Sequence, residues 1–295
     1  MRCIVLALAL AALAMVGGCS GGVFDPKGPV ASAERLLLIN STGIMLVVVV
    51  PVILATLAFA WWYRATNQSA VRSSEVAYEG RIEFVTWSIP ALTVMLLGGV
   101  IWIGSYQLDP ARPIPAKATP LRVEVVALDW KWLFIYPDQA IATVNQLTIP
   151  VATPITFRLT SATVMNSFFV PQLGSQIYTM GGMTTRLNLL ADEPGEYPGL
   201  SANFSGHGFS NMRFIVKAVA AADFEAWVSQ ARSSGSALDE AGFAELAKPG
   251  TAAPTSYRSV SPRLFERIVH ETAAGPAKAS RLGAVGRRPE SGKGR

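Results

Sequence analysis

The sequence predicts a membrane-anchored α+β protein with a two-helix transmembrane hairpin, an antiparallel β-sandwich outside the cytoplasm, and short C-terminal helices. Three observations predict this fold class. Two apolar runs without a charged residue, at 43–62 and 84–103, are each long enough to cross a bilayer. After Leu121 the pattern changes to the period-two alternation of strands, and after Lys217 to the spacing of amphipathic helices.

The composition also indicates a membrane protein and argues against a nucleic-acid-binding one. Of the 295 residues, 51% are hydrophobic and 15% charged, and the charged fraction falls well below that of soluble proteins. The net charge of +5 is contained in the tail after residue 274, so the folded part shows no basic surface for phosphates. The two cysteines, Cys3 and Cys19, both lie near the N-terminus, which excludes a disulfide framework or a cysteine zinc site further along.

The first eighteen residues read as a signal peptide of the lipoprotein type. One arginine precedes an apolar run that is too short to span a membrane, and small residues follow it. Residues 16–19, Val-Gly-Gly-Cys, resemble a bacterial lipobox, which predicts that Cys19 is lipidated and begins the mature chain. The alternative is an ordinary signal peptide with a chance cysteine. With lipidation at Cys19, residues 19–42 are predicted to form a lipidated N-terminal segment outside the cytoplasm.

The two apolar runs predict transmembrane helices at 43–63 and 83–106. Aromatic residues near their ends fit the membrane–water interfaces. The loop at 64–82 contains three arginines, which places it in the cytoplasm and both chain ends outside. Glu83 lies at the cytoplasmic start of the second helix. It is either an interfacial carboxylate favoured by the helix dipole or a proton-uptake site, because carboxylates at membrane depth are often functional.

Residues 118–220 predict seven or eight short strands. Alternating segments at 122–127, 155–160 and 185–191 carry this prediction, with shorter runs at 164–170 and 212–216. Prolines punctuate them, and "EPGEYPG" at 193–199 reads as a turn. The cluster "DWKW" at 129–132 predicts aromatic packing in or near the core.

The chain after residue 220 predicts a helical arm at 221–273 and a basic, disordered tail at 274–295. Asp223 and Asp239 are the expected N-caps of two helices, and residues 262–273 form a third amphipathic stretch. His270 is the only histidine in that stretch, and we expect its side chain to be solvated. The tail has no periodicity and is rich in glycine, alanine and arginine.

Three long motifs resemble subunit II of the haem–copper oxidases, specifically the quinol-oxidase branch of cytochrome bo type. They are "LDWKWLFIYPDQ" at 128–139, "NSFFVPQLGSQIYTMGGMTTRL" at 166–187 and "SANFSGHGFSNM" at 201–212. The resemblance extends from the lipobox to about residue 273. It implies a periplasmic domain of cupredoxin fold, a location in the bacterial inner membrane, and a role for Glu83 at the entrance of the K pathway for protons.

The resemblance also implies that a metal site of the cytochrome c oxidase branch is vacated here. In that branch the β-domain holds a binuclear copper centre with an upstream histidine and the loop ligands Cys-x-Glu-x-Cys-x3-His-x2-Met. Only the methionine is retained in this chain. His207 is two residues from the nearest histidine position. The ligand positions fall, in order, on Asn166, Ser201, Asn203, Ser205, Phe209 and Met212.

These implications predict a non-redox subunit of a proton-pumping quinol:oxygen oxidoreductase. The chain itself would bind no cofactor and hold no catalytic centre, with the haems, the oxygen-site copper and quinol oxidation assigned to subunit I. Trp130 matches a tryptophan between copper and haem in the other branch and is expected to be mainly structural here. Two alternatives stay open: a copper-binding electron-transfer subunit, and a free periplasmic lipoprotein module.

Overall fold

The computed structural model describes residues 22–71 and 79–274. Contacts divide the chain into two compact units. One, Ala33–Asp109, contains the hairpin; the other contains the β-domain, the arm and the residues that precede Ala33. The signal peptide, Cys19 and the basic tail lie outside the described residues.

Two long helices form the predicted hairpin: α1, Pro29–Trp62, and α2, Gly80–Gln107. Both are long and apolar enough to cross a membrane, with mean hydropathies of 2.7 and 1.9 over their most apolar windows. The start of α1 differs from the prediction, because the helix begins at Pro29 within the expected N-terminal segment. Proline is favoured in the first turn of a helix, and the following residues up to the apolar run are mostly good helix formers.

The β-domain is the predicted two-sheet sandwich, but it has ten strands between Leu121 and Val219 where seven or eight were predicted, and three short strands lie in the arm. The first sheet has the order β12-β3-β2-β1-β5-β8, the second β4-β10-β9-β6-β7, and β11 pairs with β13. The strands are β1 Leu121–Leu128, β2 Lys131–Tyr136, β3 Ile141–Val144, β4 Gln146–Pro150, β5 Ile155–Ser161, β6 Asn166–Phe169, β7 Ile177–Thr179, β8 Thr185–Leu189, β9 Gly195–Ser201, β10 Arg213–Val219, β11 Ala237–Leu238, β12 Thr255–Tyr257 and β13 Ser259–Val260.

The sheets are mixed, which corrects the purely antiparallel expectation. β1 pairs with β5 in parallel, and β4 pairs with β10 in parallel, while the other pairs within the two large sheets are antiparallel. The chain leaves the first sheet after β3, crosses to the second as β4, and returns as β5 on the free side of β1. Alternation along one strand gives its buried face but not the direction of its neighbour, so this crossover was not visible in the sequence.

The segment expected to be a turn at 193–199 is mostly strand β9. The pairing of β9 with its two neighbours shows why the strand tolerates its proline. Pro198 lies opposite Ile215 of β10, and β6 pairs with β9 only at Leu200 and Ser201. The missing N–H of Pro198 therefore removes no ladder bond to β6.

Aromatic rings from both sheets form the centre of the core. Phe168 stacks on Phe214 with ring centroids 4.9 Å apart, and Trp132 lies edge-on to both at 5.5 and 5.7 Å. All three are fully buried or nearly so. Offset and edge-to-face contacts of this kind add to the free energy gained from burying the rings. Trp132 of the aromatic cluster at 129–132 thus lies in the core, as predicted.

The arm contains three helices: α3, Ala221–Ser233; α4, Glu240–Leu246; and α5, Leu264–Ala273. Asp239 caps α4 as predicted, accepting a hydrogen bond from the Gly242 amide at 2.8 Å. The prediction for Asp223 is wrong, because α3 begins two residues earlier and Asp223 lies in its first turn. There its charge still interacts favourably with the helix dipole.

Arg158 joins the arm to the first sheet through two carboxylates. Its guanidinium donates to Glu124 on β1 at 2.7 Å and to Glu266 on α5 at 3.0 Å, and it lies 4.8 Å from the ring centroid of Phe265. Burial raises the pKa of the Glu124 carboxyl, with the charge of Glu266 adding to the shift and Arg158 opposing it. The arm is therefore tied to the domain by a partly buried charge cluster as well as by apolar packing.

The described residues before the hairpin are also tied to the β-domain. The Lys27 amide donates to the Gln172 carbonyl at 2.7 Å, and its own carbonyl accepts from Asp192 at 2.9 Å. Its ammonium lies 3.0 Å from Glu193. A side chain at Gly28 would place Cβ 2.2 Å from the Leu190 carbonyl oxygen, so this close approach requires glycine. Lys27 and Gly28 are thus fixed to the β-domain directly before α1 begins.

Candidate functional site

Three strands bring the predicted ligand positions together at one end of the second sheet. Asn166 begins β6, Ser201 ends β9, and Met212 precedes β10. β9 pairs with both β6 and β10, so the ends of the three strands lie side by side. The amide of Ser201 donates to the carbonyl of Met212 at 2.9 Å. All three side chains are buried, with exposed fractions of 1 or 2%. The loop between Ser201 and Met212 carries the other three positions.

A hydrogen-bond network joins three of these positions, Asn166, Ser201 and Asn203. The hydroxyl of Ser201 lies 3.2 Å from Oδ1 of Asn166 and 3.2 Å from the carbonyl oxygen of Asn203. The Asn203 amide donates to the carbonyl of Met165 at 3.3 Å, while the Asn166 amide donates to that of Val164 at 3.1 Å. Polar groups at the centre of the predicted ligand positions are therefore bonded to one another and to the backbone.

Met212 also has a hydrogen-bond partner within the loop. The hydroxyl of Ser205 donates to the sulfur of Met212 at 3.3 Å. Phe209 lies at the rim, where its ring contacts Phe204 with centroids 5.7 Å apart, and Phe204 is 74% exposed. His207 is exposed as well. Phe209 and His207 are therefore not brought into the buried cluster of Asn166, Ser201 and Met212.

The indole of Trp130 lies against this loop, and the backbone of Trp130 has an unusual conformation. Its φ of 70° lies in the left-handed region, which is uncommon for a residue with a large side chain. A Cβ at Gly208 would lie 2.1 Å from Cδ2 of the indole, and one at Gly206 would lie 3.6 Å from its nitrogen. The loop thus passes directly over the indole.

In the described part of the chain, no group of three or more histidine, cysteine, aspartate or glutamate side chains could hold a metal ion. The side chains that the structure gathers at the ligand positions are amides, hydroxyls and one thioether. They provide no charged or imidazole donor. The arrangement can therefore fix a loop by hydrogen bonding, and its chemistry is that of a neutral polar cluster.

Glu83 is far from this loop along the chain and belongs to the hairpin. It lies in the first turn of α2, where its charge is favoured by the helix dipole, and it is exposed in the isolated chain. Among the described residues its carboxylate has no hydrogen-bond or ion-pair partner. It lines a groove along the helix surface, together with Trp87 and Ser88. The last predicted site residue, Cys19, lies outside the described residues.

Sequence reasoning missed one feature of the site and one feature that joins the arm to the β-domain. The contact between Trp130 and Gly208 left only a weak signal, namely the glycines at 206 and 208 within the loop. The charge cluster of Glu124, Arg158 and Glu266 left none, because its members are far apart in sequence and each looks like an ordinary surface residue.

The fold and the site define a membrane-anchored protein with a periplasmic domain of the oxidase subunit II class. The family model "Cytochrome C oxidase subunit II, periplasmic domain" matches residues 137–219, and "COX Aromatic Rich Motif" matches residues 232–275. The second match covers most of the arm, including α5.

Relatives that match most of the chain identify the family more closely. The chain is 46% identical to cytochrome bo(3) ubiquinol oxidase subunit 2 of Pseudomonas aeruginosa, over 94% of this chain and 86% of the relative. It is 49% identical to ubiquinol oxidase subunit 2 of Acetobacter aceti, over 88% and 85%. The quinol oxidase subunit 2 of Bacillus cereus is 35% identical, over 85% and 88%. The chain belongs to the ubiquinol oxidase subunit 2 family.

Proposed function

We propose that this chain is the non-redox subunit II of a proton-pumping quinol:oxygen oxidoreductase in a bacterial inner membrane. The observation that carries the proposal is the side-chain chemistry at the former ligand positions, a neutral hydrogen-bonded cluster at the end of a cupredoxin-like domain. The names of the relatives, all quinol or ubiquinol oxidase subunits, support the same function.

The residues present do not fit a binuclear copper centre. Such a centre needs soft thiolate ligands with imidazoles around them. The hydroxyls of Ser201 and Ser205 stay protonated at neutral pH and cannot replace bridging thiolates, and the ring of Phe209 has no lone pair to donate. The sulfur of Met212 already accepts a hydrogen bond. Without copper here, the subunit has no means of accepting an electron from a soluble donor.

The remaining roles for this chain are structural support of the complex and proton uptake. Electrons would come from a membrane quinol oxidised in subunit I, which would also hold the haems and the oxygen-site copper. This chain would supply the hairpin that packs against subunit I, a periplasmic cap, and Glu83 as a proton-uptake group. Within lipid, close packing and polar contacts between helices would hold the hairpin in the complex, since lipid chains are as apolar as the helices themselves.

Lipidation at Cys19 belongs to the same proposal. The lipobox-like residues 16–19 support it. With Lys27 bonded to the β-domain, a lipid on Cys19 would hold that domain close to the membrane surface. Mass spectrometry of the purified chain is expected to find an N-terminus at Cys19 with a mass increase of acyl groups. An unmodified N-terminus at another residue would contradict the lipoprotein assignment.

The metal content of the complex tests the function directly. In the complex purified through this chain, copper is expected to suffice only for the oxygen-reducing site, measured against haem iron. Ser201→Ala, which removes a hydroxyl of the cluster, is expected to leave both the copper content and quinol oxidation close to wild type. Two further coppers, lost in the variant, would contradict the proposal, and a complete absence of haem would overturn the oxidase assignment itself.

A further inference from the structure

The last turn of α5 packs against a glycine turn directly after β7, a contact that the proposed function does not use. The amide of Gly182 donates a hydrogen bond to the hydroxyl of Thr272 at 2.7 Å. A Cβ at Gly182 would lie 2.7 Å from Cα of Ala273, and one at Gly181 would lie 3.2 Å from Cβ of Thr272. The φ of Gly182 is 75°, a conformation that glycine adopts without strain. The end of the arm therefore fits closely over this turn.

Hydrogen bonds continue from this turn to the predicted ligand positions. The carbonyl of Met180, the residue before the glycines, accepts from the amide of Ser161 at 3.4 Å. The hydroxyl of Ser161 donates to the carbonyl of Val164 at 2.6 Å, and that carbonyl also accepts from the side-chain amide of Asn166 at 3.1 Å. Oδ1 of Asn166 lies 3.2 Å from the hydroxyl of Ser201. A path of bonded groups therefore leads from the end of α5 to the buried cluster.

The other end of α5 is held on the first sheet. Glu266, in its first turn, accepts from the guanidinium of Arg158 at 3.0 Å. Phe265 and Ile268 are buried in one apolar cluster with side chains of that sheet. Glu266 and Thr272 are six residues apart, which corresponds to about 9 Å along a helix axis. Because one face of this short helix is packed along the domain, α5 connects the charge cluster to the glycine turn as one unit.

We propose that α5 is an internal brace: its contacts hold the glycine turn, and through that turn they hold the end of the β-domain that carries the predicted ligand positions. The binding partner of the arm is then this chain's own domain, and not another subunit. The amides and hydroxyls of the buried cluster form only neutral hydrogen bonds, each of which adds little net stability. The inference rests on the proposed function in one respect, since a metal at this end would hold the same strands without the arm.

Amide hydrogen exchange in the intact complex tests the brace. Thr272→Val keeps the shape of the side chain but removes the acceptor for the Gly182 amide. Exchange across residues 161–166 and 177–183 is expected to become about three- to tenfold faster, the scale of losing one neutral hydrogen bond. Thr272→Ser keeps the hydroxyl and should exchange like wild type. Ser229→Ala is the matched control, because it removes a hydroxyl that donates within α3, and it should leave both segments unchanged.

A substitution at the far end of α5 separates a brace from a local contact. Phe265→Leu loosens the packing of the first turn without touching either glycine, and exchange across residues 177–183 is expected to rise about threefold or more if α5 acts as one unit. No rise there would overturn the brace.

Copper and haem in the same samples separate this inference from the proposed function. Wild-type exchange in Thr272→Val, with copper sufficient only for the oxygen-reducing site, would overturn the brace and leave the function intact. Faster exchange in Thr272→Val together with two further coppers in the wild type would support the brace and contradict the function. Loss of haem from Thr272→Val with unchanged exchange would mean that the arm holds another subunit, and this too would overturn the brace.

Discussion

Replacing Glu83 by glutamine is expected to lower the rate of oxygen reduction about tenfold or more, the scale of losing a positioned acid–base group. Glutamine keeps the size and most of the hydrogen-bonding ability of the side chain but cannot take up and release a proton at neutral pH. The measurement is oxygen consumption by the purified complex with excess quinol, together with its haem content. Unchanged haem would show that the complex assembles and that the loss lies in turnover.

Glu79→Gln is the matched control for this variant. Glu79 lies one turn before Glu83, at the N-cap of α2, and its side chain makes no capping hydrogen bond. The two variants remove the same charge from the same end of the helix, so only a specific role of Glu83 would separate them. Glu83→Asp, which keeps a carboxyl group, should recover much of the rate. Equal turnover in Glu83→Gln and wild type would mean that Glu83 only places a favourable charge at the start of α2.

Gly208→Ala is expected to loosen the loop between β9 and β10 by about 1–3 kcal/mol, the usual cost of overpacking. The backbone of Gly208 is not in the left-handed region, so alanine would meet no conformational penalty there. The penalty is steric, because the new Cβ would lie 2.1 Å from the indole of Trp130. Amide hydrogen exchange in the intact complex measures this cost, and exchange across residues 199–212 should become about tenfold faster for each 1.4 kcal/mol lost.

A second substitution tests the cause of this effect. Trp130→Gly removes both the indole and the penalty of its positive φ, so Gly208→Ala should cost much less in the double variant than in the wild-type background. Gly195→Ala is the control on the same sheet, since its Cβ would meet only the end of the Tyr197 side chain, at 3.3 Å. If the cost of Gly208→Ala persisted without the indole, the indole would not be what shapes the loop.

Much of this protein follows from its sequence because the relevant signals are local. Hydropathy gave the two helices, and the alternation of apolar and polar residues located β1, β5 and β8 to within a residue or two. The assignment of ligand positions to Asn166, Ser201 and Met212 comes from the resemblance and stays a prediction, although the structure does bring these three residues together. Asp239 was predictable as a cap because a cap bonds within one turn.

The failures lie where a local pattern allows more than one structure. Residues 29–42 are moderately apolar and could continue a helix or precede it, and only the structure shows that α1 begins at Pro29. "EPGEYPG" has the composition of a turn, but most of it pairs with β10 along its length as β9. Tertiary pairing outweighed local propensity at that segment.

Only the tertiary structure decided the contacts between distant residues. Glu124, Arg158 and Glu266 meet because β1 pairs with β5 in parallel and the arm folds back across that sheet. Trp130 meets Gly208 because the loop between β9 and β10 closes over the end of the sandwich. A sequence records which groups are present and how they repeat along the chain. Which of them meet depends on the order in which strands are placed in the sheets, and that order is set by the packing of the whole core.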